Sequence, residues 1–206
     1  MKRFIDNYRN ETFDMIVIGG GITGAAVAYD AACRGLSVAL VEKNDFGWAT
    51  SAATSKVIHG GLRYLKTFEI GLVRESLKER RIMGNIAPNY VYPTAFMFVN
   101  PSLIMKIGLF VYDLLAFDKK FTWDKSKKIP NHFALSREEV IQQVPNVKQD
   151  GLKEARVYYD SLNIFPERMT LTFLKSAIHY GAGVANYTRV EDFFITEGNR
   201  VSGVVV

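Results

Sequence analysis

Thiols are almost missing from this chain: among 206 residues there is one cysteine, Cys33. A single thiol excludes an internal disulfide framework and any multi-thiolate zinc or iron–sulfur site within one chain. It fits a reducing compartment. Long apolar runs are missing too. The longest, Ser102 to Phe117 (SLIMKIGLFVYDLLAF), is shorter than the ~20 residues of a spanning helix and contains Lys106 and Asp113. Two readings stay open for it, a half-buried helix and a helix lying in the membrane interface. Met1 to Phe13 is polar and lacks the apolar segment of a secretory signal. No basic array interleaved with aromatics suggests nucleic acid. Neither sign of charge dominates: 26 Lys plus Arg against 21 Asp plus Glu leave a formal net charge of +5. The densest basic patch is Lys119, Lys120, Lys125, Lys127 and Lys128. It reads as a solvated loop, or as an attraction for an acidic membrane surface or an anionic metabolite. No internal repeat is seen.

What remains is an ordinary globular composition, 48% hydrophobic and 23% charged. That excludes wholesale disorder. At roughly 150 residues per domain the length allows one domain, or one and part of another. A folded chain of this size buries about 70% of its unfolded surface, enough for a real core.

Local patterns predict the elements. Asp14–Ile18 and Ser37–Val41 are short apolar runs of the kind found in buried parallel strands. Between them Ile22–Arg34 is alanine-rich and helical, with Gly35 placed to end it. Asp45–Tyr64 reads as a loop, or a loop with a short helix. Glu69–Asn85 predicts an amphipathic helix whose stripe of Ile70, Val73 and Leu77 runs into Arg80 and Arg81. Tyr92–Asn100 and Arg156–Tyr159 predict strands. Ser136 and Glu139 have the S-x-x-E spacing of a capping box, so a helix starts there. Pro166 opens another, with Leu171, Leu174 and Ile178 as its buried face and Gly181 as its stop. Val184–Tyr187 predicts a strand. Val190–Thr196 and Arg200–Val206 flank Gly198-Asn199, a hairpin signal. The final Val204-Val205-Val206 stands within an apolar strand pattern with no turn or cap, so the chain reads as part of a longer one.

Gly19, Gly21 and Gly24 fit G-x-G-x-x-G (GGGITG). The match follows a predicted strand, opens a predicted helix and is answered by Glu42 at the end of the next strand, which is the context of a dinucleotide fingerprint. Each position has a task. Gly19 allows the tight turn, Gly21 lets main chain approach a pyrophosphate, and Gly24 lets helix and strand pack closely. The helix N-terminus presents free amides and partial positive charge to the phosphates. Glu42 can accept from two ribose hydroxyls, and its charge repels a 2′-phosphate.

Beyond Glu42-Lys43 the chain enters a Ser/Thr/Gly-rich loop rather than alternating strands and helices. Thr50-Ser51-Ala52-Ala53-Thr54-Ser55-Lys56-Val57-Ile58-His59-Gly60-Gly61-Leu62-Arg63-Tyr64-Leu65 resembles the signature loop of FAD-dependent glycerol-3-phosphate dehydrogenases, which glycerol phosphate oxidases share. Ile107-Gly108-Leu109-Phe110-Val111-Tyr112-Asp113 is a second similar stretch. Tyr158-Tyr159-Asp160 and the last hairpin are weaker ones. The chain departs from the family pattern at Asp160–Arg168, where an acidic pair is replaced by less charged residues and Arg168-Met169 stands for Arg-Leu. That departure bears on substrate detail more than on FAD.

The resemblance implies an α/β fold. It is a Rossmann-like, glutathione-reductase-like three-layer FAD domain of the D-amino-acid-oxidase-like superfamily, with an interposed, sheet-based substrate or cap region. Residues 1–91 and 161–206 would form the FAD domain and 92–160 the cap. Gly19, Gly21, Gly24, Glu42, Lys43, Thr50, Ser51, Ser55, Lys56, Gly60, Gly61 and Val190 would contact FAD. Hydroxyls at 50, 51, 54 and 55 suit diphosphate and flavin polar edges. Lys56 would put a cation where reduction develops negative charge. Arg63 and Tyr64 would bind the substrate: Arg63 stands either as the guanidinium fork for its phosphate or as a surface ion-pair residue, and Tyr64 would add a hydrogen bond to the phosphate or to a hydroxyl. His59, the candidate catalytic residue, stands either as a general base or as a flavin-contacting, orienting residue. His132 and His179 are assigned no chemistry, no metal is expected, and Cys33 is expected in the core.

The implied reaction is hydride transfer from C2 of sn-glycerol 3-phosphate to FAD, giving dihydroxyacetone phosphate. Electrons would pass to a quinone, or to oxygen in an oxidase. Another FAD-dependent amine or hydroxyacid oxidoreductase of the same fold is the alternative. The expected location is cytoplasmic, or peripheral on the inner face of the membrane, and a homodimer is left open. Because family members complete the site from sequence beyond residue 206, these residues alone are expected to bind FAD weakly or not at all and to be inactive.

Overall fold

In a computed structural model the described residues are 11–206, so the reading of the first ten as lacking a secretory signal lies outside them. The element order is β1 (Met15–Ile18), α1 (Ile22–Cys33), β2 (Val38–Val41), β3 (Val57–Ile58), α2 (Ile70–Ile86), β4 (Val91–Val99), α3 (Leu103–Leu115), β5 (Phe133–Ser136), α4 (Arg137–Gln143), β6 (Glu154–Asn163), α5 (Pro166–His179), β7 (Gly183–Ala185), β8 (Asp192–Thr196) and β9 (Arg200–Val205). Two compact units result. One runs to Ser55 and resumes at Phe165; the other is Lys56–Ile164. The sequence reading set its boundaries at 91/92 and 160/161. The compact units divide earlier at the first boundary, because β3 pairs with β6 and α2 packs on α3 within the second unit, and later at the second, because β6 runs on to Asn163.

In the first unit β1, β2 and β7 form a parallel sheet in the order β1-β2-β7. This is the sheet the apolar runs predicted. Its core joins Val38, Leu40 and Val184 from the sheet to Ala25, Ala28, Ala31 and Ala32 of α1 and to Leu174 and Ala177 of α5. Alanine on the buried face lets α1 and α5 lie close together. Gly35, at φ +85°, ends α1 in the left-handed conformation that suits glycine. Two expectations are corrected here. Cys33 is exposed, because the buried face of α1 ends on Ala31 and Ala32 and position 33 turns outward. The buried face of α5 runs through Pro166, Met169, Thr170, Leu174 and Ala177, leaving Leu171 and Ile178 only half-buried. The hairpin β8–β9 turns through Gly198 and Asn199, both at positive φ.

The second unit is built on β6, a ten-residue strand against which β4, β5 and β3 run antiparallel. Sequence reading found only the middle of β6 and missed β5. Ser136 caps α4, with the Glu139 carboxylate returning to the Ser136 amide at 2.7 Å, as the capping-box spacing predicts. Val73 and Leu77 of α2 pack with Tyr112 and Ala116 beside α3. Along α3, Leu109 and Tyr112 are buried. Leu103, Ile104, Ile107, Phe110 and Leu114 form an exposed apolar stripe. No helix among the described residues is long and apolar enough to cross a membrane.

Candidate functional site

The glycine loop joins β1 to α1. Gly19 adopts φ +110°, a conformation L side chains rarely take. A Cβ at Gly24 would lie 2.0 Å from the Gly19 carbonyl oxygen, so only glycine lets α1 start this close to the strand. At Gly20, an unassigned position of the motif, a Cβ would meet Phe46 Cδ1 at 2.6 Å and Glu42 Cβ at 2.9 Å. Gly21 differs: the only atom within 4 Å of an added Cβ is Ser51 Oγ, at 3.1 Å. Main chain there faces open space with one hydroxyl at its edge.

Glu42 follows β2 and leans over this loop. Its Oε2 accepts the Gly20 amide at 2.8 Å and its Oε1 accepts the Asn44 amide at 2.7 Å. Besides the role expected of it toward a ribose, the carboxylate therefore holds the glycine loop to the end of β2. The Glu42 amide and carbonyl bond to Ala185 and Thr188, tying the same point to β7. Ser51 accepts the Ile22 amide at 2.9 Å, so its hydroxyl oxygen is seated at the α1 N-terminus. Thr50 shares its 3₁₀ turn, Ala49–Ser51. Lys43, Thr50 and Ser55 are exposed, and Val190 is half-buried beyond β7. Of the residues read from the sequence, hydrogen bonds and close approach bring together Gly19, Gly21, Gly24, Glu42 and Ser51.

Lys56, His59, Gly60, Gly61, Arg63 and Tyr64 belong to the second unit. Lys56 has φ +64°, and its carbonyl accepts the Asn163 amide at 2.7 Å. His59 is exposed just past β3. Gly61, at φ +75°, leads into the 3₁₀ segment Leu62–Thr67. On that segment Arg63 Nη2 donates to the Tyr64 hydroxyl at 2.6 Å, and its guanidinium lies 4.7 Å from the Tyr64 ring centre. An exposed guanidinium and a phenol oxygen are thus paired on one short turn, a donor set suited to a phosphate.

Sequence reasoning missed a buried group behind this segment. Asp160 Oδ1 accepts from Arg80 Nη1 at 2.5 Å, from the Tyr112 hydroxyl at 2.7 Å and from the Gly60 amide at 3.0 Å. Burial pushes the Tyr112 hydroxyl well above the usual phenol range. Tyr158, stacked on Phe98, is pushed up to about 12, by burial first and by the Asp160 charge second. The signal was Arg80 on the apolar stripe of α2: a guanidinium on a buried face demands an anion.

A glycine loop at a parallel strand–helix turn, clamped by the carboxylate of the next strand, defines a dinucleotide-binding α/β protein. Residues 14–206 match the family described as FAD dependent oxidoreductase, and the chain belongs to that family. It is 40% identical to the aerobic glycerol-3-phosphate dehydrogenase of Staphylococcus aureus strain USA300, over 97% of this chain and 35% of that protein. The chain thus spans about a third of the length of the curated relatives it matches. Among solved structures it is similar to the glycerol-3-phosphate dehydrogenase from Bacillus halodurans complexed with FAD. The TM-score is 0.70 at 27% identity, covering 98% of this chain and 32% of that one. It is also similar to the glycine oxidase from Bacillus cereus ATCC 14579, with TM-score 0.61 at 26% identity, covering 94% and 51%.

Proposed function

We propose that this chain carries the FAD cradle and part of the substrate site of an enzyme that oxidises sn-glycerol 3-phosphate to dihydroxyacetone phosphate. A membrane quinone is the electron acceptor. The observation that carries the cofactor half is the bare main chain at Gly21 beside the α1 N-terminus, with Glu42 seated over the loop. The residues present fit a dinucleotide. Glu42 uses one lone pair of each oxygen on an amide, which leaves a second on each for a ribose hydroxyl. Ser51 accepts from Ile22, so its own O–H is free to donate to a diphosphate oxygen. The α1 N-terminus adds partial positive charge toward the same phosphates. When bound, FAD supplies the two-electron acceptor.

Arg63 and Tyr64 hold the substrate phosphate, with the guanidinium as fork and the phenol as a further hydrogen-bonding group. Clamping the phosphate orients C2 and its hydroxyl, which is the positional part of the rate. In this reading His59, exposed four residues before Arg63, takes the hydroxyl proton. The 40% identity to an aerobic glycerol-3-phosphate dehydrogenase supports this substrate over the amino acids of other proteins with the same fold.

Quinone as acceptor goes with a membrane surface. On α3 the stripe of Leu103, Ile104, Ile107, Phe110 and Leu114 is exposed, and Phe117, Phe121 and Trp123 continue it. Lys120, Lys125 and Lys128 follow in the same stretch of chain. An apolar face bordered by aromatics and lysines is the composition of a helix lying in the interface of an anionic bilayer.

The test uses the full-length protein loaded with FAD. Anaerobic glycerol 3-phosphate should bleach the flavin, and a short-chain quinone should restore the colour faster than oxygen does. Bleaching by glycine or proline, with glycerol 3-phosphate inert, would move the protein to the amine-oxidising branch. Faster reoxidation by oxygen would make it an oxidase. Arg63→Ala should raise KM for glycerol 3-phosphate about 100-fold, the loss of a charge-assisted phosphate contact. It should leave oxidation of glycerol itself unchanged.

A further inference from the structure

We propose that Asp160 is a positioning residue for the segment that carries His59, Arg63 and Tyr64, and that it acts through the Gly60 amide. The inference rests on the substrate reading above for its kinetic consequence, but its geometry stands alone.

The β3–β6 ladder pairs Val57 with Leu162 and Ile58 with Ser161, and there it ends. One step further along β6 stands Asp160. Its carboxylate, not its main chain, takes the next available amide, that of Gly60, at 3.0 Å. The side chain therefore extends the ladder by one bond while letting the backbone of β3 leave the sheet. Both ends of that bond are buried.

The carboxylate is itself held. Arg80 Nη1 bridges Asp160 Oδ1 and the Tyr159 carbonyl, and the Tyr112 hydroxyl donates to the same Oδ1. Donors from α2, from α3 and from the segment after β3 thus converge on one oxygen of β6. Packing closes the other side: a Cβ at Gly60 would sit 2.3 Å from both Leu77 Cδ2 and the Tyr112 oxygen. Main chain at Gly60 is pressed against the network and hydrogen-bonded into it. Gly61 then turns at φ +75° and delivers Arg63 and Tyr64. A phosphate clamp on a short 3₁₀ turn has little rigidity of its own, so its aim depends on the fixed point immediately before it. Asp160 supplies that point.

The experiment compares Tyr112→Phe with the parent in the full-length, FAD-loaded protein. Tyr112→Phe removes one hydrogen bond to the carboxylate and keeps the ring and both charges; Asp160→Asn is the stronger second variant. Three results are expected. Hydrogen exchange in the peptide covering 57–64 quickens. KM for glycerol 3-phosphate rises about tenfold, as expected for a lost hydrogen bond to a charged group, while kcat falls less. In an Arg63→Ala background Tyr112→Phe changes KM by less than about twofold, because the positioned group is gone. Unchanged KM with a lowered melting temperature, or full multiplication of the two effects, would reduce Asp160 to packing and overturn the proposal. Should the parent itself fail to oxidise glycerol 3-phosphate, the substrate reading falls instead and the exchange measurement decides alone. Exchange at 57–64 that is no faster in either variant would end the anchoring idea.

Discussion

Replacing Gly24 by alanine tests the closeness of α1 to the strand it follows. The added Cβ would lie 2.0 Å from the Gly19 carbonyl oxygen, whereas real Cβ atoms essentially never come within 3.0 Å. The first turn of α1 must then retreat by about 1 Å (3.0 − 2.0). The obstacle is backbone, which cannot swing aside as a side chain does. Overpacking of this kind costs about 3 kcal/mol, the upper end of the usual range. Alanine returns about 1 kcal/mol as the better helix former. The net loss is about 2 kcal/mol, and with a urea m-value near 2 kcal/mol/M the midpoint falls by roughly 1 M. Gly108→Ala is the internal control. Gly108 lies within α3 with nothing inside 4 Å of the added Cβ, so only the propensity gain of about 0.5–1 kcal/mol remains and the midpoint rises. Urea melts followed by far-ultraviolet circular dichroism measure both. Should Gly24→Ala melt at or above the parent's midpoint, the close contact between α1 and the glycine loop is not there, and the diphosphate seat proposed on it loses its basis.

Two further tests address other surfaces. Burial would raise the Asp118 carboxyl, but hydrogen bonds from Arg74 and Arg81 outweigh it and hold the group below its ordinary value of 3.8. A carboxyl depressed in the folded state adds stability that is fully present above the unfolded value and is lost as pH falls through the folded one. Asp118→Asn should therefore lower thermal stability at pH 6 and flatten its decline below about pH 4; an equally steep acid limb in the variant would refute the pairing. For the α3 face, co-sedimentation with anionic vesicles should drop at least about tenfold when Ile104, Ile107 and Phe110 become serine or glutamine, and should weaken in high salt. Equal binding by parent and variant would remove this helix from the membrane interface.

Much of the first unit could be read in advance because its signals are local. A glycine spacing, an apolar run of four and a terminal carboxylate fall within thirty residues, and β1, α1, β2 and Glu42 stand where that pattern put them. The capping box at Ser136 and the proline at the start of α5 are local in the same sense. What escaped depends on partners far away in sequence. β5 is four residues long, with Leu135 its one buried side chain, and is a strand only because β6 lies beside it. Arg80 interrupts an apolar stripe, and its reason stands eighty residues on, at Asp160. Cys33 looked like core from its alanine neighbours, yet helix phase, not composition, decides which way position 33 faces.

That outward thiol has a practical side. It is the sole sulfhydryl among the 206 residues, and it is solvent-accessible on the last turn of the helix whose opposite end is proposed to face the cofactor. Eleven residues at 1.5 Å each separate it from Ile22, about 17 Å along the axis. A maleimide dye attached there needs no engineered cysteine in this stretch. It would report arrival of a light-absorbing isoalloxazine by energy transfer, which turns an inert side chain into a ruler for cofactor loading.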